Sequence, residues 1–217
     1  MNTMQGLSAL FFDFDGVIMD SMPLKLQSYR YAFAPWKLDG ARLPQLQMKY
    51  AGLSRQKSLG LMYQDLTGNP INNEQFDLAL ERYTDHDDRS RRKMRAVPGT
   101  MEFLQSLPGS TFTAIVTGTP QAVIDKTISV HRLTPYFDRV CGTPPEKKIS
   151  LQHLLTEYAI ESENSVMIGD AITDQLAAQY CNMRFVGICT GDYSFDKEQC
   201  WRTVDSLLEL APYVRQS

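Results

Sequence analysis

Two aspartates one residue apart, Asp13 and Asp15, open the stretch Asp13-Phe14-Asp15-Gly16-Val17-Ile18-Met19-Asp20-Ser21. Side chains alternate along an extended backbone, so two acids at this spacing point the same way. Uncompensated carboxylates so close repel and raise each other's pKa, an arrangement that makes sense around a divalent cation. A bare Asp-x-Asp reads equally as a pair of solvated loop acids. Gly16 then lets the chain turn sharply away.

Three further segments hold residue types that suit the same chemistry. Thr117 and Gly118 offer a hydroxyl and backbone N–H groups to a phosphate, or else a helix cap or turn before Pro120. Lys147 and Lys148, after Pro144-Pro145-Glu146, supply positive charge, or else form a solvated pair. Gly169-Asp170-Ala171-Ile172-Thr173-Asp174 adds two acids, with helix capping by Asp170 or Thr173 as the alternative.

Each segment closes an element able to position it. Residues 7–14 (LSALFFDF) form a short apolar run ending in acids, which suits a strand buried on both faces of a parallel sheet. Similar runs cover residues 112–116, 165–168 and 184–189, ending at Thr117-Gly118-Thr119, Gly169-Asp170 and Thr190-Gly191-Asp192. Helix-like stretches cover 100–107, 120–130, 148–158 and 173–180. The alternation predicts a doubly wound parallel α/β sheet, in which ligands bind at the carboxyl ends of the strands. The polar clusters sit at those ends.

Residues 21–97 differ. Helical periodicity runs through Leu24, Tyr29 and Phe33, through Leu59, Met62, Tyr63 and Leu66, and through Phe76, Leu80 and Tyr83, up to the breaker Pro98-Gly99. The pattern predicts a helical insertion covering the sheet edge, its methionines and aromatics packing a core. Residues 1–20 and 98–217 then form the core and 21–97 the helical segment.

Bulk properties are those of an ordinary globular protein. The 217 residues are 43% hydrophobic and 22% charged, which excludes a disordered chain, a collagen-like repeat and a disulfide-stapled miniprotein. A net charge of −3 gives no pull toward nucleic acid. No apolar run is long enough to span a bilayer. Folding at this length buries roughly 70% of the unfolded surface, so neither metal nor disulfide is needed to hold the fold. Cys141, Cys181, Cys189 and Cys200 show no zinc spacing, and His86, His131 and His153 form no ligand pattern. The opening MNTMQGLSAL lacks a basic leader region. A cytoplasmic protein is expected.

In this order, each at a strand end or the following helix, the four segments resemble the haloacid dehalogenase superfamily of phosphohydrolases. The resemblance covers nearly the whole chain. It also resembles the helical-cap subgroup that contains phosphoglycolate phosphatase and β-phosphoglucomutase. It implies a Rossmann-like core with an inserted helical cap. It also implies Asp13 as nucleophile and Asp15 as general acid and base. Mg²⁺ would be held by Asp13, the Asp15 backbone carbonyl and Asp170, with Asp174 acting through water or from behind the ligands. Thr117 and the Gly118 N–H would hold phosphoryl oxygens, and a lysine would offset the charge. Lys147 is favoured over Lys148, because Leu151, Leu154 and Leu155 then fall four, seven and eight residues on, as in the proline-free variant of the motif. Hydrolytic dehalogenases lack the second acid, so Asp15 favours phosphate over carbon–halogen chemistry.

The stretch Gly52-Leu53-Ser54-Arg55 looks like the leaving-group loop of sugar-phosphate relatives, with Arg55 reaching the substrate, or else with Ser54 capping a helix and Arg55 solvated. Arg89, Arg91, Arg92, Lys93 and Arg95 read as a solvated helix face near the hinge. The function implied is a Mg²⁺-dependent phosphatase of a small phosphorylated metabolite, a sugar or hydroxy-acid phosphate. A phosphomutase sharing every catalytic residue is the alternative, and a non-catalytic binding protein on the same fold a second one.

Overall fold

A computed structural model describes residues 7–189 and 194–214. The end of the fourth run, Thr190-Gly191-Asp192, and the first residues of the opening lie outside the described residues.

The four apolar runs are strands β1 (Ala9–Phe12), β2 (Phe112–Pro120), β4 (Ser165–Gly169) and β5 (Arg184–Ile188). Two more, β3 (Arg139–Thr143) and β6 (Arg202–Val204), were not anticipated. All pair in parallel in the order β3-β2-β1-β4-β5-β6. The two unforeseen strands are the edges. Edge strands bury less, so β3 and β6 lack the continuous apolar run that marks the inner four.

Alternation along β1 explains why both faces must be covered. Leu10 and Phe12 belong to one core with Ile115, Val166 and Ile168, while Ala9 and Phe11 belong to another with Ala114, Val116 and Met167. Helices α5 (Thr100–Ser106) and α6 (Gln121–Val130) feed the first core through Phe103 and Ile124. Helices α7 (Lys147–Glu157) and α8 (Ile172–Tyr180) feed the second through Leu151 and Ala177.

The segment between β1 and α5 carries helices α1 (Met22–Phe33), α2 (Leu43–Lys49), α3 (Arg55–Thr67) and α4 (Asn73–Arg91). These pack a third core of Tyr29, Phe33, Leu59, Met62, Tyr63 and Tyr83. Its entering and leaving segments run side by side: Asp20 N–H donates to Arg95 O (2.9 Å) and Val97 N–H to Ile18 O (3.0 Å). Strand order reverses between β1 and β4, so the crevice for a ligand opens at the carboxyl ends of those two strands.

Candidate active site

Asp13 follows β1, and its N–H donates to Ile168 O (2.8 Å), which ties it to β4 where that strand delivers Gly169 and Asp170. Asp174 lies in the first turn of α8 and accepts from Ala171 N–H (3.2 Å). Carboxylate oxygens of Asp13, Asp170 and Asp174 lie within 4.8 Å of one another. Gly16 makes room for this cluster: it has φ +91°, and a Cβ there would stand 2.2 Å from Asp170 Oδ2.

Lys147, the first residue of α7, reaches into the cluster with Nζ 2.5 Å from Asp174 Oδ1 and 3.1 Å from Asp13 Oδ2. Lys148 points outward, 45% exposed and 3.8 Å from Glu146. The geometry therefore brings Lys147, not its neighbour, to the acids. Burial pushes the Asp170 carboxyl well above its usual range, and Asp13 and Asp174 add to the effect. Burial likewise raises Asp174, to about 7, against the pull of Lys147. Burial opposes the Lys147 charge, but Asp13 and Asp174 overcome it and raise its pKa.

Three carboxylates facing one lysine leave an excess of negative charge that a dication would balance. Asp13 Oδ1 is buried with no hydrogen-bond partner among the described residues. An all-oxygen donor set suits a hard cation such as Mg²⁺. The residues fit a divalent ion.

Thr117, near the end of β2, is buried and its Oγ1 accepts from Thr119 N–H (3.2 Å). It does not cap α6, whose N-cap is Pro120. Thr143 Oγ1 donates to Gly118 O (2.5 Å) and so orients that peptide. A Cβ on Gly118 would stand 2.9 Å from Gly52 O, so only glycine lets the Gly52-Leu53 loop descend this close to the acids.

Asp15 departs from expectation. It lines the same cavity as Asp13, but its side chain belongs to a separate charge cluster. Oδ2 accepts from Thr119 Oγ1 (2.7 Å) and pairs with Lys25 Nζ (2.8 Å); Oδ1 accepts from Ser21 Oγ (2.6 Å) and pairs with Arg91 Nη1 (3.3 Å). Burial works to raise its pKa, but Arg91 and Lys25 prevail and hold the carboxylate well below its usual range. Asp15 is thus lowered where its spacing predicts raising, while Asp170 and Asp174 are raised. The described cation-sized acid cluster does not include the Asp15 side chain.

Arg55 lines the cavity but is not solvated. Its Nη2 lies 2.5 Å from Asp87 Oδ2, Nη1 donates to Thr84 Oγ1 (2.9 Å), and the guanidinium sits 4.7 Å from the Tyr83 ring centre. Ser54 also caps α3, accepting from Lys57 N–H (3.4 Å). In the basic run Arg89, Arg92, Lys93 and Arg95 are exposed, as the sequence predicts, but Arg91 is not. Arg91 is only 5% exposed, bound to Asp87 through Nε (2.8 Å) and to Thr119 through Nη2 (3.3 Å). Its burial had a signal: Ala79, Tyr83, Asp87 and Arg91 are four apart and make the buried stripe of α4. Lys25 was missed too, because nothing in its local sequence sets it apart from other lysines.

The haloacid dehalogenase-like hydrolase family matches residues 10–188. A phosphoglycolate phosphatase of Vibrio vulnificus is 29% identical over 199 residues, covering 87% of this chain and 86% of that protein. Among solved structures, a "predicted phosphatase" from Clostridium acetobutylicum superposes with a TM-score of 0.81 at 22% identity, over 95% of this chain and 97% of that one. CbbY from Rhodobacter sphaeroides, solved in complex with phosphate, gives 0.77 at 18%, over 94% and 96%. The match spans most of the chain and includes Asp13, Asp15, Thr117, Lys147, Asp170 and Asp174, and the chain belongs to the haloacid dehalogenase-like hydrolases.

Proposed function

We propose that the protein is a Mg²⁺-dependent phosphatase acting on a small phosphorylated metabolite, a sugar or hydroxy-acid phosphate, with Asp13 as nucleophile. The observation that carries this reading is the state of Asp13: Oδ2 is held by Lys147 while Oδ1, buried among acids, has no hydrogen-bond partner among the described residues. Attack by that oxygen on phosphorus breaks the ester bond and leaves an aspartyl-phosphate. Asp15, in its protonated form, gives that proton to the departing alkoxide and takes one back from the water that attacks the intermediate; the ion pairs with Lys25 and Arg91 favour its carboxylate, the form the second step needs. Lys147 offsets the charge of nucleophile and phosphate, and Thr117 with the Gly118 N–H holds phosphoryl oxygens. Asp13, Asp170 and the Asp15 carbonyl would hold Mg²⁺, with Asp174 behind them. When bound, the ion would supply positive charge against that of the carboxylates and the phosphoryl group.

Helices α1 to α4 serve as a cap in this reading, bringing Lys25, Arg55 and Arg91 over the site. The named activity of the Vibrio relative supports a hydroxy-acid phosphate. Purified protein should hydrolyse p-nitrophenyl phosphate with Mg²⁺, lose turnover in EDTA and regain it when Mg²⁺ is returned. Asp13→Asn should abolish turnover. Wild-type-like activity in that variant contradicts the assignment.

A further inference from the structure

The three acids of the cluster are not fixed in the same way. Lys147 holds the Asp13 and Asp174 carboxylates. Asp170 is placed through its backbone, in the turn that leads from β4 into α8. A short segment from farther along the chain, residues 194–196, lies against that turn.

Ser194 grips the turn at two points. Its N–H donates to Asp170 O (3.0 Å), and its Oγ accepts from Ile172 N–H (3.2 Å). Ile172 opens α8, so its N–H has no acceptor within the helix. Ala171, at the N-cap, has no side-chain oxygen to offer. The Ser194 hydroxyl supplies an acceptor from outside the helix.

The segment is itself anchored. Gln175, buried on α8, matches both backbone groups of Asp196: Nε2 donates to Asp196 O (2.7 Å) and Oε1 accepts from Asp196 N–H (3.0 Å). Between the two, Phe195 is buried with its ring centre 5.6 Å from that of Phe185 on β5. Gly187 leaves room for it, since a Cβ there would stand 2.3 Å from the Phe195 ring. Ser194 is thus held by its neighbours on α8 and β5.

We infer that Ser194 is a positioning residue for the divalent cation. By fixing the Asp170 carbonyl and the Ile172 N–H, it holds the Asp170 carboxylate near Asp13 and so sets metal affinity without touching the ion. The inference rests on the metal site of the phosphatase reading and goes beyond it, because Ser194 belongs to none of the four motif segments. Removing a group that orients a metal ligand weakens metal binding by about 10–100-fold.

Mn²⁺, which suits the same oxygen ligands as Mg²⁺, is titrated into metal-free protein, and the free ion is read by electron paramagnetic resonance. Ser194→Ala should raise the dissociation constant about tenfold. Ser194→Thr keeps the hydroxyl and should restore most of the affinity. With p-nitrophenyl phosphate at saturating Mn²⁺, kcat of Ser194→Ala should stay close to wild type, whereas a general disturbance of the fold lowers it at every metal concentration. Unchanged affinity in Ser194→Ala overturns the inference alone. A loss that Ser194→Thr shares, or one matched by an equal fall in kcat at saturating Mn²⁺, also overturns it. If Ser194→Ala does not fold, Gln175→Met, which frees the other end of the segment, carries the same expectation and the same refutation. Wild-type protein that binds no Mn²⁺ overturns the metal reading and this inference together.

Discussion

Asp87 lies between two buried arginines, its Oδ2 2.5 Å from Arg55 Nη2 and 2.8 Å from Arg91 Nε. Through Arg91 it braces the cation that faces Asp15, so one carboxylate on α4 links the helical segment to the strand-end chemistry. Removing it strands two charges away from water. Asp87→Asn should cost about 3–5 kcal/mol in chemical denaturation. Asp85→Asn, which breaks the exposed pair with Arg89 one turn away on the same helix, should cost about 1 kcal/mol or less. Equal effects would mean that Asp87 is not the brace described.

The adjacent lysines separate cleanly. Lys147→Met removes the only cation within reach of Asp13 and Asp174 among the described residues and should lower kcat at least about a thousandfold, as loss of a charge stabiliser does. Lys148→Met touches the exposed contact to Glu146 and should leave kcat within about threefold of wild type. A reversed pattern in p-nitrophenyl phosphate assays would contradict the geometry.

Much of this site was legible from residue type and spacing, and the reasons are local. Asp13 and Asp170 stand directly after inner strands whose apolar runs are unmistakable, and Gly16 and Asp174 follow within a turn, so their placement follows from the sheet. Lys147 was favoured through the leucines of α7, of which Leu151 and Leu154 are buried. The stripe of Ala79, Tyr83, Asp87 and Arg91 marks Arg91 as buried but not its partner, and Lys25 carries no mark at all, because a charged residue in a polar stretch reads alike whether it is solvated or folded onto a distant partner. Asp15 lies 76 positions from Arg91 in the chain, and only the packing of α4 against the strand ends brings them together. The edge strands β3 and β6 escape for a related reason, being only partly buried and so lacking a continuous apolar run.

Without a divalent cation, stability should fall as pH rises. Asp170 and Asp174 hold their protons more tightly folded than unfolded, because burial raises both pKa values. The folded state therefore binds more protons between the unfolded value of 3.8 and the folded one, about 7 for Asp174. The stability they contribute is full below the first and lost as pH passes through the second. In EDTA, Tm should be lower at pH 8 than at pH 5, and each kcal/mol corresponds to about 2–4 °C at this size. Mg²⁺ should raise Tm more at pH 8 than at pH 5. A flat or rising Tm in EDTA would contradict the buried acid cluster.

Gly16 offers a test of how closely the loop must approach Asp170. Gly16→Ala puts a Cβ into the carboxylate at a φ of +91°, costing roughly 1–2 kcal/mol in backbone strain alone. The Mg²⁺ concentration for half-maximal activity should rise about tenfold, since Asp170 must move aside. An unchanged Mg²⁺ requirement would show that Asp170 does not depend on this contact.

The central claim is that Asp13 takes up the phosphoryl group. Rapid acid quench of wild-type enzyme during turnover of 2-phosphoglycolate, followed by peptide mapping by mass spectrometry, tests it most directly. One added phosphoryl group should appear on the peptide containing Asp13, should be released by hydroxylamine as an acyl phosphate is, and should be absent from Asp13→Asn. A phosphoryl group trapped on any other residue, or full turnover by Asp13→Asn, would contradict the account.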